Sequence, residues 1–303
     1  MSSVPVIRQT AGPRAAKAAS SRRGKTGGYN RRPGVVTYVL LGAAVLIGIG
    51  PIYYTLLLGS SDPVSLAQSP LPQLLPDASL FDNFSKVVNS DAFDFWKAFR
   101  NSLLVSLITA GATVLFSTLA GFSFAKLNFR GRGPLLVFVI ATMAVPTQLG
   151  VIPLYIIMAK IGWIGTLQAV IVPALVTAFG VFWMTQYLQE ALPYELIEAA
   201  RVDGASMLRT FWSIAMPAAR PAMAMLALFT FVTQWTNFFW PSIVLNPENP
   251  TLPVAVRLLQ ANYFVDYSLV MAGVFLVTLP LIVLFIFAGR QLVAGIMAGA
   301  VKG

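Results

Sequence analysis

Cysteine and histidine are both absent from this 303-residue sequence, and only 11 residues are acidic. Without cysteine there are no disulfides, thiolate metal sites or cysteine nucleophiles. Without histidine the chain lacks the commonest metal ligand and the side chain best suited to acid–base work near neutral pH. Charged residues make up 11% of the chain, against about 25% in an average soluble domain. The catalytic inventory is thin. What the chain has instead is apolarity, 57% of residues with a mean hydropathy of +0.74, which places it among integral membrane proteins where length alone would not.

Crossing the hydrocarbon core takes about 20 apolar residues. Six stretches qualify, near 35–58, 99–124, 134–159, 164–188, 221–245 and 267–289. The first is too long for a signal-peptide core and lacks a small-x-small cleavage site, so it is expected as a retained helix. None of the six contains Asp or Glu. Proton-driven carriers rely on ionisable groups within the membrane, so their absence points to energy supplied from outside the chain, with sodium coupling through backbone carbonyls still open. Pro51, Pro146, Pro153, Pro173, Pro241 and Pro280 lie in or at the ends of spans, where neighbouring helices can satisfy the freed carbonyls and a kink is tolerated.

The net charge of +10 is unevenly spread. Residues 1–34 carry eight basic side chains (Arg8, Arg14, Lys17, Arg22, Arg23, Lys25, Arg31 and Arg32) and no acid. Directly before a span, this reads as a cytoplasmic flank rather than a nucleic-acid arm. With the N-terminus inside, the inner segments 1–34, 125–133, 189–220 and 290–303 hold 16 of the 21 Lys and Arg residues. Asp62, Asp77, Asp82, Asp91, Asp94, Glu248 and Asp266 then lie outside, and both termini are expected in the cytoplasm. Segment 59–98 is expected as an external loop with one short amphipathic helix, and 246–266 as a second external loop. Within the basic flank, Gly24-Lys25-Thr26 ends a loose match to a phosphate-binding loop, but that mechanism needs a strand before it and a helix after it. Here a basic tail precedes and Gly27-Gly28 follow, so the match is rejected.

The polar segment 190–220 has an ordered pattern. Pro193 suits the first turn of a helix. Leu196, Ala199, Ala200 and Asp203 recur at helical spacing, their small members permitting close approach of another surface, and Gly204 supplies the turn that ends the helix. A second helix can start at Ser206, with Leu208, Phe211, Trp212 and Ala215 as its apolar stripe and Pro217 ending it or kinking its join to the next span. An amphipathic hairpin lying on the inner leaflet is the plainer reading. Against it, Glu190, Glu195, Glu198 and Asp203 outnumber Arg201, Arg209 and Arg220, and acids are unfavourable beside anionic lipid.

Glu198-Ala199-Ala200, Asp203-Gly204-Ala205, Phe211, Ile214, Pro217 and Pro221 resemble the EAA loop of ABC-importer permeases, with Met216 where Leu is usual. Asn101-Ser102-Leu103, Phe129-Arg130-Gly131-Arg132, Ile152-Pro153-Leu154, Trp235-Thr236-Asn237 and the terminal Gly299 to Gly303 agree with the carbohydrate-importer branch, and the chain looks similar to the smaller permease of maltose-type transporters. The resemblance covers nearly everything after residue 35. It implies an all-α integral membrane protein of six transmembrane helices, residues 35–290, with a cytoplasmic coupling loop, 190–220, between the fourth and fifth. A basic tail (1–34) precedes it and a cytoplasmic tail (291–303) follows. It also implies a bacterial plasma-membrane location and a subunit that catalyses nothing, ATP and Mg being bound by partner ATPase subunits. Further partners would be a second permease, an external solute-binding protein and the sugar itself. Carried over, Glu195, Glu198, Ala199, Ala200, Asp203, Gly204, Leu208, Phe211, Ile214 and Pro217 would couple to the ATPase, and Gly299, Val301, Lys302 and Gly303 would contact it.

Within the spans the polarity is uncharged. Gln148, Thr233, Gln234, Trp235 and Asn237, with Thr142, Thr147, Thr230 and Thr236 nearby, offer a passing polyol hydrogen bonds and a stacking surface. Hydrogen bonding between helices is the competing reading for each of them. A non-sugar solute such as glycerol phosphate, or a secondary carrier, remains the alternative function.

Overall fold

The computed structural model describes residues 34–68, 74–260 and 265–300, with side-chain surroundings up to residue 289. Most of the basic tail, 1–33, and the last three residues lie outside the described residues. The chain divides into two compact units, 1–51 and 52–303. What is described of the first is the leading part of a helix, Val35–Ser60, apolar all round and exposed along this part, a surface suited to lipid.

The second unit is helical, and among its described residues there is no strand. Among the described residues, five helices are long and apolar enough to cross a membrane: Val35–Ser60, Phe95–Lys126, Gln168–Ala191, Met207–Trp235 and Tyr267–Gly289. A bent pair, Arg132–Thr142 and Thr147–Lys160, makes a sixth if counted as one span. Its halves meet at 91°, where one straight helix is expected from apolarity. Pro146 explains the corner: it has no N–H, and it pushes the residue before it out of the helical region.

The remaining spans also depart from their expected bounds. Asp94 starts the second span early by accepting the Lys97 N–H at 2.9 Å. The fourth is interrupted at 175–177. The fifth begins at Met207 rather than 221, since Pro217 neither ends nor separates the helix there. The turn Phe211–Ala215 is instead widened, with the Met216 N–H reaching back five residues to the Phe211 carbonyl. That helix stops at Trp235, and a short helix Phe239–Val244 follows after a break. Pro241 forbids the continuation, because its ring would meet the carbonyl of Asn237. The last helix runs from Tyr267 to Ala300, its stretch apolar and long enough to cross a membrane ending at Gly289, and residues 291–300 extend it as helix. They are Ala-rich and contain no proline to stop a helix.

Among the described residues three apolar cores hold the bundle together, one of them around Val105, Met158, Val170 and Val244. At the Lys126 end of the second span, Val114, Phe122 and Ala125 pack with Met184 and Leu188 of the fourth and Ala215, Ala219, Ala222 and Leu226 of the fifth. At the Phe95 end, Phe95 and Ala98 pack with Val87, Trp235, Leu252, Ala255 and Ala272. The amphipathic helix expected in segment 59–98 is Ser79–Val88, placed by Phe84 stacking on Phe275 with ring centroids 6.1 Å apart.

The second and fourth spans approach closely at Gly121. A Cβ there would fall 2.7 Å from the Cβ of Met184 and 2.8 Å from its backbone carbon, so only glycine fits. Gly121→Ala is expected to lower stability by about 1–3 kcal/mol through overpacking, read as a lower unfolding temperature in detergent. Gly111→Ala on the same helix, with nothing within 4 Å, should leave it unchanged.

Candidate functional site

The loop between the fourth and fifth spans is a short helix, Tyr194–Val202, a turn, and the start of the fifth-span helix at Met207. Gly204 makes the turn with φ +75°, a conformation costly for other residues. The Ala205 N–H donates to the Ala200 carbonyl at 2.9 Å and the Gly204 N–H to the Arg201 carbonyl at 3.0 Å, the paired bonds of a Schellman cap. Ser206 then caps the next helix, its hydroxyl accepting the Arg209 N–H at 3.2 Å. Glycine and serine thus stop one helix and start the next within three residues.

The expected faces are re-sorted. Ile197 and Ala200 turn inward, as do Phe211 and Ala215, all buried, and Phe122 and Phe211 meet at 5.7 Å. Phe211 is thus part of the core at this end of the bundle, and Ala200 is buried in the loop. Ile214 is half-buried and packs against the same core. The Leu208 and Phe211 stripe is split, with Phe211 buried and Leu208 exposed. Left outward are Leu196, Ala199, Val202, Leu208 and Trp212, with Glu195, Glu198, Asp203 and Pro217. Val202, at 88% exposed, has no contact in this chain that would justify an apolar residue. Beneath the loop, Lys126 donates from Nζ to the Gln189 carbonyl at 3.2 Å, a cation at a helix C-terminus, where the dipole favours it.

A cavity of about 710 Å³ opens among the spans. Three interruptions line it: the corner of the bent pair gives Thr142, Val145, Thr147 and Gln148; the break in the fourth span gives Ala174, Val176, Thr177 and Ala178; the break after Trp235 gives Asn237, Phe239 and Trp240. Thr233 and Gln234 complete the polar part of the wall and Phe179 adds an aromatic face. No lining residue is charged. The Thr233 hydroxyl donates to the Phe229 carbonyl at 2.8 Å, so only its lone pairs face outward. Thr177 accepts the Gly180 N–H at 3.0 Å, which leaves its own proton available. Gln148, Thr233, Gln234 and Asn237 are thus brought together. Trp235 is not: fully buried, it donates Nε1–H to the Val277 carbonyl at 3.0 Å and packs on Phe99 and Phe231, so its expected place on the path is corrected to one in the core.

Residues 93–294 match the family of binding-protein-dependent transport system inner membrane components. The chain belongs to this family. Among its relatives, the arabinooligosaccharides transport system permease protein AraQ of Halalkalibacterium halodurans is 34% identical over 75% of this chain and 81% of its own length. The lactose transport system permease protein LacG of Rhizobium radiobacter is 32% identical over 90% and 97%. These relatives are permease subunits, the non-catalytic membrane components of their transporters. A crystal structure of a bacterial ABC transporter involved in the import of the acidic polysaccharide alginate contains a chain with the same fold, with a TM-score of 0.71 at 22% identity over 85% of this permease and 95% of that chain.

Sequence reasoning missed Thr177, Phe179, Phe239 and Trp240 on the cavity wall of this permease. Thr177 carried a signal, a capping residue before an apolar run, hidden inside a stretch apolar enough to look continuous. The aromatics carried none, since an aromatic in a span is usually packing. Because the permease has no native cysteine, single cysteines report directly. Gln148→Cys and Gln234→Cys are expected to react with a water-soluble maleimide, while Leu226→Cys, in the core, should not.

Proposed function

We propose that this permease is one of two membrane subunits of an ATP-driven sugar importer. With a second permease it forms the translocation path, and two ATP-binding subunits drive it through the loop 190–220. Its N- and C-termini lie in the cytoplasm, the orientation favoured by the charge distribution. An external solute-binding protein delivers substrate to the opposite side. Transport is alternating access, driven when closure of the ATPase pair moves the loops.

The observation that carries this reading is the loop's two-sided character. Ile197 and Phe211 fix it to the second and fourth spans, so force on the loop reaches the bundle. Its outer side presents Leu196, Ala199, Val202 and Leu208 with Glu195, Glu198 and Asp203, and with Arg201 and Arg209 beside them, an apolar surface of mixed charge with acids in excess, suited to a protein groove rather than to anionic lipid. Gly299 lies in the last helix, while Val301, Lys302 and Gly303 lie outside the described residues. We assign this end to contact with the ATPase subunits.

Sugar as the cargo is supported by the names of the relatives and by the chemistry of the cavity. Uncharged amides and hydroxyls beside Phe179, Phe239 and Trp240 suit a polyol with alternating polar edges and apolar faces. A phosphorylated solute would call for Arg or Lys, and none lines the wall. Glu198→Lys and Gly204→Asp are expected to abolish ATP-coupled uptake while the protein still inserts at normal abundance, measured by radiolabelled sugar uptake alongside immunoblots of membranes. Normal uptake by either variant would contradict the proposal.

A further inference from the structure

The break at Leu175–Thr177 supplies Val176 and Thr177 to the cavity wall. A helix interrupted at membrane depth leaves carbonyls without their donors four residues on, and each needs another partner. Ala174 is such a residue. In an uninterrupted helix its carbonyl would take the Ala178 N–H. Here Thr113 of the second span, fully buried, donates its hydroxyl to that carbonyl at 3.1 Å, and no main-chain N–H of the described residues reaches it.

The direction of that hydroxyl is informative. Threonines inside helices readily donate to their own preceding turn, as Thr118 does to the Val114 carbonyl at 2.6 Å and Thr185 to the Val181 carbonyl at 2.7 Å. Thr113 reaches across to the neighbouring span instead. The far side of the break is fixed separately: Thr177 is extended, with φ −123° and ψ 141°, and caps the helix that restarts at Ala178. The carbonyl side depends on the second span.

We infer that Thr113 is a positioning residue for the cavity: its bond to the Ala174 carbonyl keeps the fourth span open and holds Val176 and Thr177 on the wall. Without it, the nearest replacement donor is the Ala178 N–H, and that bond closes the break and withdraws both residues. The consequence for transport rests on the proposed role of the cavity; the geometric claim does not.

The test uses the full chain in membranes, with Val176→Cys as reporter and Gln234→Cys as a control on a wall the fourth span does not supply. Thr113→Val is expected to slow maleimide labelling at 176 about tenfold, the scale set by one buried hydrogen bond, with labelling at 234 unchanged. Thr113→Ser should restore it. Ala178→Pro removes the competing N–H, suits a first-turn position and follows a residue already extended, as proline requires. It should return labelling of the Thr113→Val chain to the parent rate, and should rescue insertion if Thr113→Val alone fails to insert. Unchanged labelling at 176 in Thr113→Val, or no rescue by Ala178→Pro, overturns the inference. Labelling that changes as expected while sugar uptake does not would leave Thr113 in its role and count against the cavity as the path.

Discussion

Burial of Ile197 and Phe211 against the second and fourth spans is the contact on which the account of this permease depends. Burying a side chain the size of Ile197 or Phe211 is worth about 1.5–3 kcal/mol relative to exposure to water, and here the two come from opposite sides of the turn at Gly204. The loop is therefore pinned at both ends and shaped by its caps in the middle. A segment fixed in this way moves with the helices behind it. The outward residues need no further role in folding, which is why their chemistry, apolar with charges interleaved and acids in excess, reads as a surface for something else.

A second constraint organises the interior. Main-chain polar groups cannot be left bare in hydrocarbon, so interrupted helices persist only where they line a cavity or are tied by neighbouring side chains. The permease shows both conditions. Three breaks face one cavity with no charge among its described lining residues, and the Ala174 carbonyl freed by the middle break is met by Thr113. Trp240 does similar work nearby, donating Nε1–H to the Ala169 carbonyl at 2.8 Å. A path made of broken helices gains amides, hydroxyls and free backbone groups without placing a charge in the membrane, which suits a neutral, multiply hydroxylated solute.

Much of this was legible in the sequence, and the parts that were not share a cause. Span existence followed from apolarity, and the loop from a glycine, a serine cap and acidic residues in an apolar chain. Hydropathy says nothing about whether an apolar run is straight, however. The corner at Pro146, the break before Thr177 and the stop at Trp235 each lie inside runs apolar enough to pass as one helix. Which side of the loop faces inward was not legible for a related reason: tertiary packing buries Ala200 beside exposed Ala199, and Phe211 beside exposed Leu208 and Trp212. Trp235 looked like part of a sugar path by composition, and only the Val277 carbonyl beside its N–H identifies it as core.

The most direct measurement is site-specific crosslinking of the loop in the assembled transporter. Cysteines or photo-crosslinkers at Leu196, Ala199 and Val202 should capture an ATP-binding subunit, and the same probes at Ile197 and Ala200 should capture this chain or nothing. Equal capture from both sets, or probes at the outward positions that reach only lipid and water, would contradict the account.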